Sequence, residues 1–220
     1  GLGGRLDAVN ILDADISLIT SIDIDHQEWL GNNRESIGRE KAGIFRNLAP
    51  AVCSEPNPPQ SLLDCSKALG TPISILGSEY QFNLINDIWS WSTKDMRIEG
   101  LPRPMKYCDF QIQNASGVLM VLVKIQDEYP VSTENIKQGL SSFRLKGRFQ
   151  IIPGEITKIL DVAHNRASIK ALANNLKMIP CYGKTHIILG MLKDKDHQQF
   201  IKELIEVTDT WHFVSISQDR

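Results

Sequence analysis

"PAVCSEPNPPQSLLDCSKALGTPISIL", residues 50–76, decides the fold class of this chain. A short apolar run, "AVC", leads through a proline-rich loop into an amphipathic segment, and a second apolar run, "ISIL", follows. Strand, helix and strand in this order, with turn residues between them, are typical of a βαβ unit. We therefore predict two neighbouring parallel strands here, joined by a helix over residues 61–69.

The same alternation continues towards both ends of the chain. "ISLITSI" (16–22) and a predicted helix over 34–45 precede the opening stretch, and from residue 147 strand-like runs again alternate with amphipathic segments. The later strands are predicted in "ITKILDVAH", "THIILGML" and "WHFVSIS". We predict an α/β protein with a second parallel sheet, and we place the domain boundary after residue 146.

Two stretches of the first domain depart from this alternation. Residues 81–101 show short aromatic-rich runs split by Asn, Asp, Ser and Lys, which predicts an inserted set of antiparallel hairpins. Residues 114–142 combine a strand-prone run with a Ser/Thr-capped amphipathic segment, so strand and helix both remain open there. We favour two helices.

Composition excludes several classes of function. The chain has 24 basic and 26 acidic residues among 220, and no basic cluster, so nucleic acid is not expected as a partner. Its longest apolar run, "VLMVLVKI", is too short to cross a bilayer. The four cysteines form no CxxC pair, which predicts free thiols in a reducing cytoplasm. We expect a cytoplasmic monomer that acts on small molecules.

The stretch "SIDIDHQEWLGNNRESIGREKAGIF", residues 21–45, gathers potential ligands where a predicted strand ends. Ligands of open α/β sheets bind at that edge, so His26 or a neighbouring Asp can serve a hard cation such as Mg²⁺. The alternative is that Asp25 and His26 cap the next segment or form a solvated turn. Lys41 is either a solvated helical lysine or an amine that reacts with CO₂ to give a metal-binding carbamate.

Further polar motifs lie at predicted turns and strand ends. "LKGRFQ" (145–150) places Arg148 near the predicted boundary, and "LDVAHN" (160–165) places Asp161 and His164 after a strand. Arg148 can bind phosphate and Asp161 a ribose or adenine edge, whereas Asn165 is equally suited to cap a helix. "GLGGRLDA" (1–8) is either a nucleotide turn or a plain tight turn. In "GMLKDKD" (190–196) we expect only a helix-capping Asp.

Taken in order, "GLGGRLDAVN", "SIDIDH", "ESIGREKAGIF", "LKGRFQ", "LDVAHN" and "GMLKDKD" resemble the folylpolyglutamate synthase family of the Mur ligase superfamily, including its bifunctional bacterial members. The resemblance covers the whole chain. It implies part of a Mur-ligase-like central ATPase domain over residues 1–146, followed by the start of a Rossmann-like C-terminal domain over 147–220. It also implies an ATP-dependent ligase that adds L-glutamate to dihydropteroate and to folates through an acyl phosphate.

The resemblance further implies roles for individual residues. His26 matches a metal ligand, with Mg²⁺ as the expected ion, and Lys41 matches a lysine that carries a CO₂-derived carbamate. Residues that match contacts to the pterin-bearing substrate are Leu6, Asp7 and Ala8. Residues that match contacts to ATP are Asn114, Arg148, Asp161 and His164.

The chain also departs from the family pattern. Gln113, Lys146 and Arg166 stand where the family has proline, which loosens the backbone near the expected ATP contacts. No G-x-x-x-x-G-K-S/T phosphate loop occurs. We therefore expect a fragment that is inactive by itself. A Mur-type ligase acting on a UDP-muramyl peptide and a catalytically inactive nucleotide-binding paralogue remain as alternatives.

Overall fold

Three short strands form the parallel sheet of the first unit of the chain, Gly1–Phe143. They are β1 (Ser17–Ile19), β2 (Ala51–Cys53) and β3 (Ile73–Ile75), in that order, connected through α1 (Arg34–Ala42) and α2 (Gln60–Ala68). Every residue of β2 is buried, as expected for a central strand covered on both faces. The computed structural model, which describes residues 3–24, 30–105, 108–192 and 195–216, confirms the predicted βαβ unit.

The inserted antiparallel sheet is also confirmed. It consists of β4 (Tyr80–Ile85), β5 (Ile88–Thr93) and β6 (Arg97–Pro102), each antiparallel to its neighbour. Residues 109–142 form two helices as favoured, α3 (Asp109–Lys124) and α4 (Thr133–Ser142). Trp89 and Trp91 are buried in the core between this sheet and α3, and the Trp91 indole donates a hydrogen bond to the Ser116 carbonyl at 3.1 Å.

A separate core joins α1 and α2 to the parallel sheet. Ile37 from α1 and Leu62 from α2 are both fully buried in it, together with Ala51 and Cys53 of β2. The two helices therefore lie on the sheet with fixed positions, and the C-terminal turn of α1 is held rigidly. This turn carries Lys41.

In the described residues of the second unit, Arg144–Arg220, there are two small sheets. Its elements are β7 (Gln150–Ile152), β8 (Lys158–Leu160), α5 (Arg166–Lys177), β9 (His186–Leu189), α6 (His197–Leu204) and β10 (Thr210–Phe213). β9 and β10 pair in parallel, and Ile169, Phe200 and Leu204 of the two helices form the core beneath them. The domain assignments, with their boundary after residue 146, stay predictions.

The predicted place of β8 in a parallel sheet is wrong within the described residues. β8 pairs antiparallel with β7, a strand that the sequence pattern did not predict. The connection between them is a short loop over residues 153–157. A loop of that length permits an antiparallel hairpin, whereas a parallel pair needs a crossover of a dozen residues or more.

Two predictions from the composition, on the cysteines and on membrane-spanning segments, can be compared with the structure. Cys53, Cys65, Cys108 and Cys181 form no disulfide bond, as predicted. Among the helices of the described residues, none combines the length and the apolar character required to cross a membrane.

Candidate functional site

The glycine-rich start of the chain lies against the C-terminal end of α1. Gly4 has a φ of +91°, and a Cβ added there would stand 2.8 Å from the Glu40 carbonyl carbon and 2.9 Å from the Lys41 Cα. The adjacent Arg5 amide donates a hydrogen bond to the Glu40 carbonyl at 2.8 Å. Because only glycine fits this approach, the contact with α1 accounts for Gly4 without a bound nucleotide.

The approach is reciprocal. A Cβ added at Gly43, just after α1, would stand 2.5 Å from the Arg5 Cβ and 2.8 Å from the Arg5 Cα. The Arg5 guanidinium also forms an ion pair with Glu40, with Nε 3.1 Å from Oε2. Two glycines and one ion pair thus hold the first segment of the chain along the last turn of α1.

Asp7 organises the segment that the resemblance assigns to the substrate. Its Oδ2 accepts a hydrogen bond from the Gly3 amide at 2.7 Å, and its Oδ1 accepts one from the Val9 amide at 3.1 Å. Asp7 thereby caps the 3-10 helix Ala8–Ile11, and these two backbone hydrogen bonds lower the pKa of its carboxyl. Leu6 and Ala8, on either side, are exposed.

Lys41 lies beside this segment. It occupies the last turn of α1 and is half-buried, and its Nζ stands 3.4 Å from the position that a Cβ at Gly3 would take. The same Gly3 donates its amide to Asp7. The structure therefore places the Lys41 Nζ beside Gly3, which is hydrogen-bonded to Asp7, although Asp7 and Lys41 are 34 positions apart in the sequence.

The metal ligand expected from the resemblance, His26, lies outside the described residues. Among the residues that are described, no group of three or more His, Cys, Asp or Glu side chains is arranged to hold a metal ion. The metal site therefore stays a prediction.

Asn114 lies within α3 and is half-buried. Its side-chain amide donates to the Gln111 Oε1 at 3.5 Å, within the same helix. The preceding Gln113, where the resemblance implies a proline in the family, donates from Nε2 to the Ser54 carbonyl at 2.7 Å. This bond ties α3 to the chain just after β2, an anchor that proline cannot provide.

In the second unit, Asp161 joins two motifs that the sequence showed separately. Its Oδ2 accepts a hydrogen bond from the Phe149 amide, and its Oδ1 accepts one from the Ala163 amide, both at 2.7 Å. Phe149 has a φ of +44° and a buried side chain, and Gly147 has a φ of +70°. Asp161 therefore fixes the turn that carries the half-buried Arg148, and it brings the two residues into one local site.

His164 and Asn165 form the start of α5. The Asn165 Oδ1 accepts a hydrogen bond from the Ser168 amide at 3.0 Å, which confirms Asn165 as a helix cap. The Nδ1 of His164 lies 2.8 Å from the Val162 carbonyl, as in a hydrogen-bonded turn histidine. Arg166 occupies the first helical position, where the family's proline would also fit. Contacts of these residues to ATP stay predictions.

One residue of this neighbourhood carried no prediction. Arg46, in the turn after α1, donates hydrogen bonds to several backbone carbonyls of the segment that contains Asn10 and Leu12. Nothing in the sequence pattern distinguishes it from a solvated arginine, because most of its acceptors are backbone carbonyls, and those of Asn10 and Leu12 are distant along the chain.

These features define the class of the molecule. The chain is a Mur-ligase-like α/β protein, and residues 147–220 match the model of the family described as Mur ligase, glutamate ligase domain. Over its full length it is similar in sequence to proteins named dihydrofolate synthase/folylpolyglutamate synthase.

The Escherichia coli K12 dihydrofolate synthase/folylpolyglutamate synthase is 39% identical over 220 residues, which cover 100% of this chain and 51% of that protein. The structure of E. coli FolC in complex with ADP superimposes with a TM-score of 0.90 at 38% identity, covering 100% of this chain and 52% of the other. A bifunctional folylpolyglutamate synthase/dihydrofolate synthase with Mn, AMPPNP and L-glutamate bound superimposes with a TM-score of 0.84 at 42% identity, covering 96% and 50%. The chain thus spans about half the length of these relatives.

Proposed function

We propose that the protein is an ATP-dependent amide ligase that adds L-glutamate to dihydropteroate and, in γ-linkage, to folates. The observation that carries the proposal is homology over the whole chain to enzymes named for both reactions. It is supported by the packing that sets the Lys41 Nζ beside Gly3, whose amide is hydrogen-bonded to Asp7. We also propose that it works as a monomer in the cytoplasm, where its four thiols would stay reduced.

ATP and a divalent cation are the proposed co-substrate and cofactor. A structurally similar enzyme binds Mn, AMPPNP and L-glutamate, and we propose Mg²⁺ and ATP for this protein. His26 and a carbamate on Lys41 would hold the cation. When bound, the cation would neutralise negative charge between the nucleotide and the substrate carboxylate.

Lys41 would form the carbamate through its neutral amine. The ammonium first loses one proton to water. The neutral Nζ then attacks the carbon of CO₂, a nitrogen–carbon bond forms as one carbon–oxygen π bond breaks, and the nitrogen loses a second proton to water. The side chain changes from a cation to an anion with two oxygen donors. Lys41 is half-buried, with its Nζ beside Gly3, and the reaction requires its neutral amine.

Leu6, Asp7 and Ala8 would contact the pterin-bearing substrate. Leu6 and Ala8 are exposed, so both can contact an apolar ring system. Each oxygen of Asp7 accepts one backbone hydrogen bond and keeps a further lone pair, with which it can accept a hydrogen bond from a ring amine. The backbone bonds hold the carboxylate in a fixed direction before the substrate arrives.

Arg148 and Asp161 would contact ATP. The carboxylate of Asp161 also keeps lone pairs beyond its two backbone bonds, which suits a ribose hydroxyl donor. Arg148, one residue before Phe149, can bind phosphate oxygens. Asn114 and His164 complete the proposed set of ATP contacts.

In the proposed reaction, a substrate carboxylate oxygen attacks the γ-phosphorus of ATP and ADP leaves. The amino group of L-glutamate then attacks the acyl carbon, the bond to phosphate breaks, and the amide nitrogen loses a proton. Phosphate is a good leaving group, whereas an unmodified carboxylate has none.

The test is an ADP-release assay on the protein expressed from its complete reading frame. We expect ADP release that requires both L-glutamate and dihydropteroate or a folate, with a product heavier by one glutamyl residue in mass spectrometry. Ligation of a UDP-muramyl substrate instead would place the protein among the peptidoglycan ligases. Nucleotide binding without any ligation would identify an inactive paralogue.

A further inference from the structure

Arg46 is the centre of a dense group of hydrogen bonds in the first unit. Its Nη2 donates to the Asn10 carbonyl at 2.9 Å, to the Asn10 Oδ1 at 3.0 Å and to the Leu12 carbonyl at 3.0 Å. Its Nη1 donates to the Ile44 and Phe45 carbonyls, both at 3.2 Å. Its Nε forms an ion pair with the exposed Asp13 at 2.5 Å. One guanidinium thus bridges two segments that lie more than thirty residues apart.

Asn10 extends the group towards the proposed substrate segment. Its Nδ2 donates to the Arg5 carbonyl at 3.2 Å and to the Gly43 carbonyl at 3.0 Å. We call Arg46 and Asn10 together the Arg46–Asn10 clamp. The clamp connects the turn after α1 with both ends of the stretch that contains Leu6, Asp7 and Ala8.

Apolar packing does not hold this stretch in place. The 3-10 helix Ala8–Ile11 has no buried residue, and Val9, Ile11 and Leu12 are 76%, 87% and 74% exposed. Its position therefore depends on hydrogen bonds, and the Arg46–Asn10 clamp supplies most of those that reach outside the stretch. On the other side, the Thr71 hydroxyl donates to the Arg46 carbonyl at 3.0 Å and anchors the clamp to the parallel-sheet core.

The chemistry of the clamp is specific to arginine. A guanidinium presents five N–H donors in a rigid plane, and here they point to acceptors in different directions. A lysine ammonium carries all its donors on one atom, so it cannot bridge the same carbonyls. Lysine at this position would keep the charge and lose the fixed geometry.

We infer that Arg46 is a positioning residue for the proposed ligase, which sets Leu6, Asp7 and Ala8 beside Lys41 through Asn10. This inference rests on the proposed function. It predicts that loosening the clamp weakens binding of the pterin-bearing substrate while the groups that contact ATP stay in place. Arg46 itself would contact neither the pterin-bearing substrate nor ATP.

The test compares R46K and N10A with the control R97K in the protein from its complete reading frame. Arg97 lies on β6, is exposed and pairs with Glu99, so R97K changes an arginine outside the proposed site. KM for dihydropteroate, KM for ATP and kcat are measured for each protein. Hydrogen exchange of the backbone amides in residues 3–13 is followed in parallel, as a readout that needs no activity.

For R46K and N10A we expect KM for dihydropteroate to rise about tenfold, with KM for ATP and kcat within about twofold of the unchanged protein. Exchange in residues 3–13 should become about tenfold faster, and R97K should match the unchanged protein in every measurement. If R46K does not fold, N10A carries the same test, because it removes the bonds to Arg5 and Gly43 and leaves the guanidinium intact.

Unchanged KM for dihydropteroate in an active R46K and an active N10A would overturn the inference, as would an equal rise of both KM values. If the unchanged protein ligates no glutamate, the proposed function fails. The exchange measurement then still decides whether the clamp holds residues 3–13, and unchanged exchange would overturn that part as well.

Discussion

Glu35 and Ser61 are joined by two hydrogen bonds between different helices. The Ser61 amide donates to the Glu35 Oε2 at 2.8 Å, and the Ser61 hydroxyl donates to the Glu35 carbonyl at 2.6 Å. The Gln60 amide donates to the other carboxylate oxygen at 3.2 Å. Pro59, at the N-cap of α2, offers no capping side chain, so a carboxylate from α1 caps α2 instead.

This cap makes the first unit sensitive to acid. The hydrogen bond from the Ser61 amide is the main reason why the pKa of Glu35 lies below its ordinary value of 4.5. A lowered folded-state pKa means that the stabilisation is complete above 4.5 and is lost as the pH falls towards the folded-state value. We expect Glu35→Gln to lower the thermal midpoint at neutral pH. As the pH falls below 4.5, the midpoint of this variant should decrease less than that of the unchanged protein.

The measurement is thermal unfolding followed by circular dichroism across this pH range. Glu99→Gln is the control, because Glu99 is exposed and pairs only with the neighbouring Arg97 in the described contacts. An identical acid profile for Glu35→Gln and the unchanged protein would show that the cap does not contribute.

Gly4→Ala tests the close approach of the first segment to α1. The alanine would be strained at a φ of +91°, and its Cβ would also overlap with the backbone of Glu40 and Lys41. We expect a loss of more than about 2 kcal/mol in the free energy of unfolding. Gly77→Ala is the matched control, since its φ is +88° and no heavy atom lies within 4 Å of the new Cβ.

Gly77→Ala should lower the free energy of unfolding only by the cost of the backbone strain, about 1 kcal/mol. Urea unfolding of both variants gives the comparison. Equal losses would mean that the collision is relieved at no cost.

Lys41→Ala tests the proposed carbamate. Turnover should fall about a hundredfold or more, because the cation loses an oxygen donor, and added acetate or formate should restore part of it. Lys67→Ala, also in the last turn of a helix and exposed, is the control and should keep full activity. Steady-state ADP release is the measurement. Full activity of the Lys41 variant would refute the role that we give this residue.

Asp161→Asn tests whether the Asp161 carboxylate supports the second unit as well as ATP. The amide can accept only one of the two backbone hydrogen bonds, from Phe149 or from Ala163, so one buried or half-buried donor loses its partner. We expect a destabilisation of about 1–3 kcal/mol in urea unfolding. Asp64→Asn, whose carboxylate accepts only from the Gln60 side chain among the described contacts, should change stability by less than about 0.5 kcal/mol.

Cysteine reactivity gives a simple test of burial in the first unit. Burial raises the pKa of the Cys53 thiol to about 11, whereas Cys181 is exposed. At about pH 8 only about one Cys53 in a thousand would be a thiolate, so iodoacetamide should label Cys181 and spare Cys53. Peptide mass spectrometry measures this, with urea-unfolded protein as the control in which all four react. Equal labelling in the folded protein would contradict the burial of β2.

Local features of this fold could be predicted from the sequence. Asn165, Ser132 and Asp196 each accept a hydrogen bond from an amide three residues ahead, a contact that depends only on the residue type and its place before an apolar periodic run. The apolar runs of the parallel strands were also recognisable, because turn residues bound each of them.

Contacts between distant parts of the chain could not be predicted in this way. β8 has a strand pattern, but the pattern does not state its partner, and the short loop after β7 decided the pairing. The sequence does not indicate a partner for Glu35, because the helix that it caps begins 25 residues later. Arg46 uses backbone acceptors, which every sequence offers everywhere. For the candidate site, the sequence named Lys41 and Asp7, and only the fold shows that they are neighbours.

Gly4 and Gly43 have a consequence for the evolution of this protein. Each glycine makes room for the opposite segment, Gly4 for the backbone at Glu40 and Lys41 and Gly43 for Arg5. Substitution of either glycine by a larger residue would force the two segments apart. The close contact that requires the other glycine would then no longer exist. The two positions should therefore be inherited as a pair, retained together or replaced together.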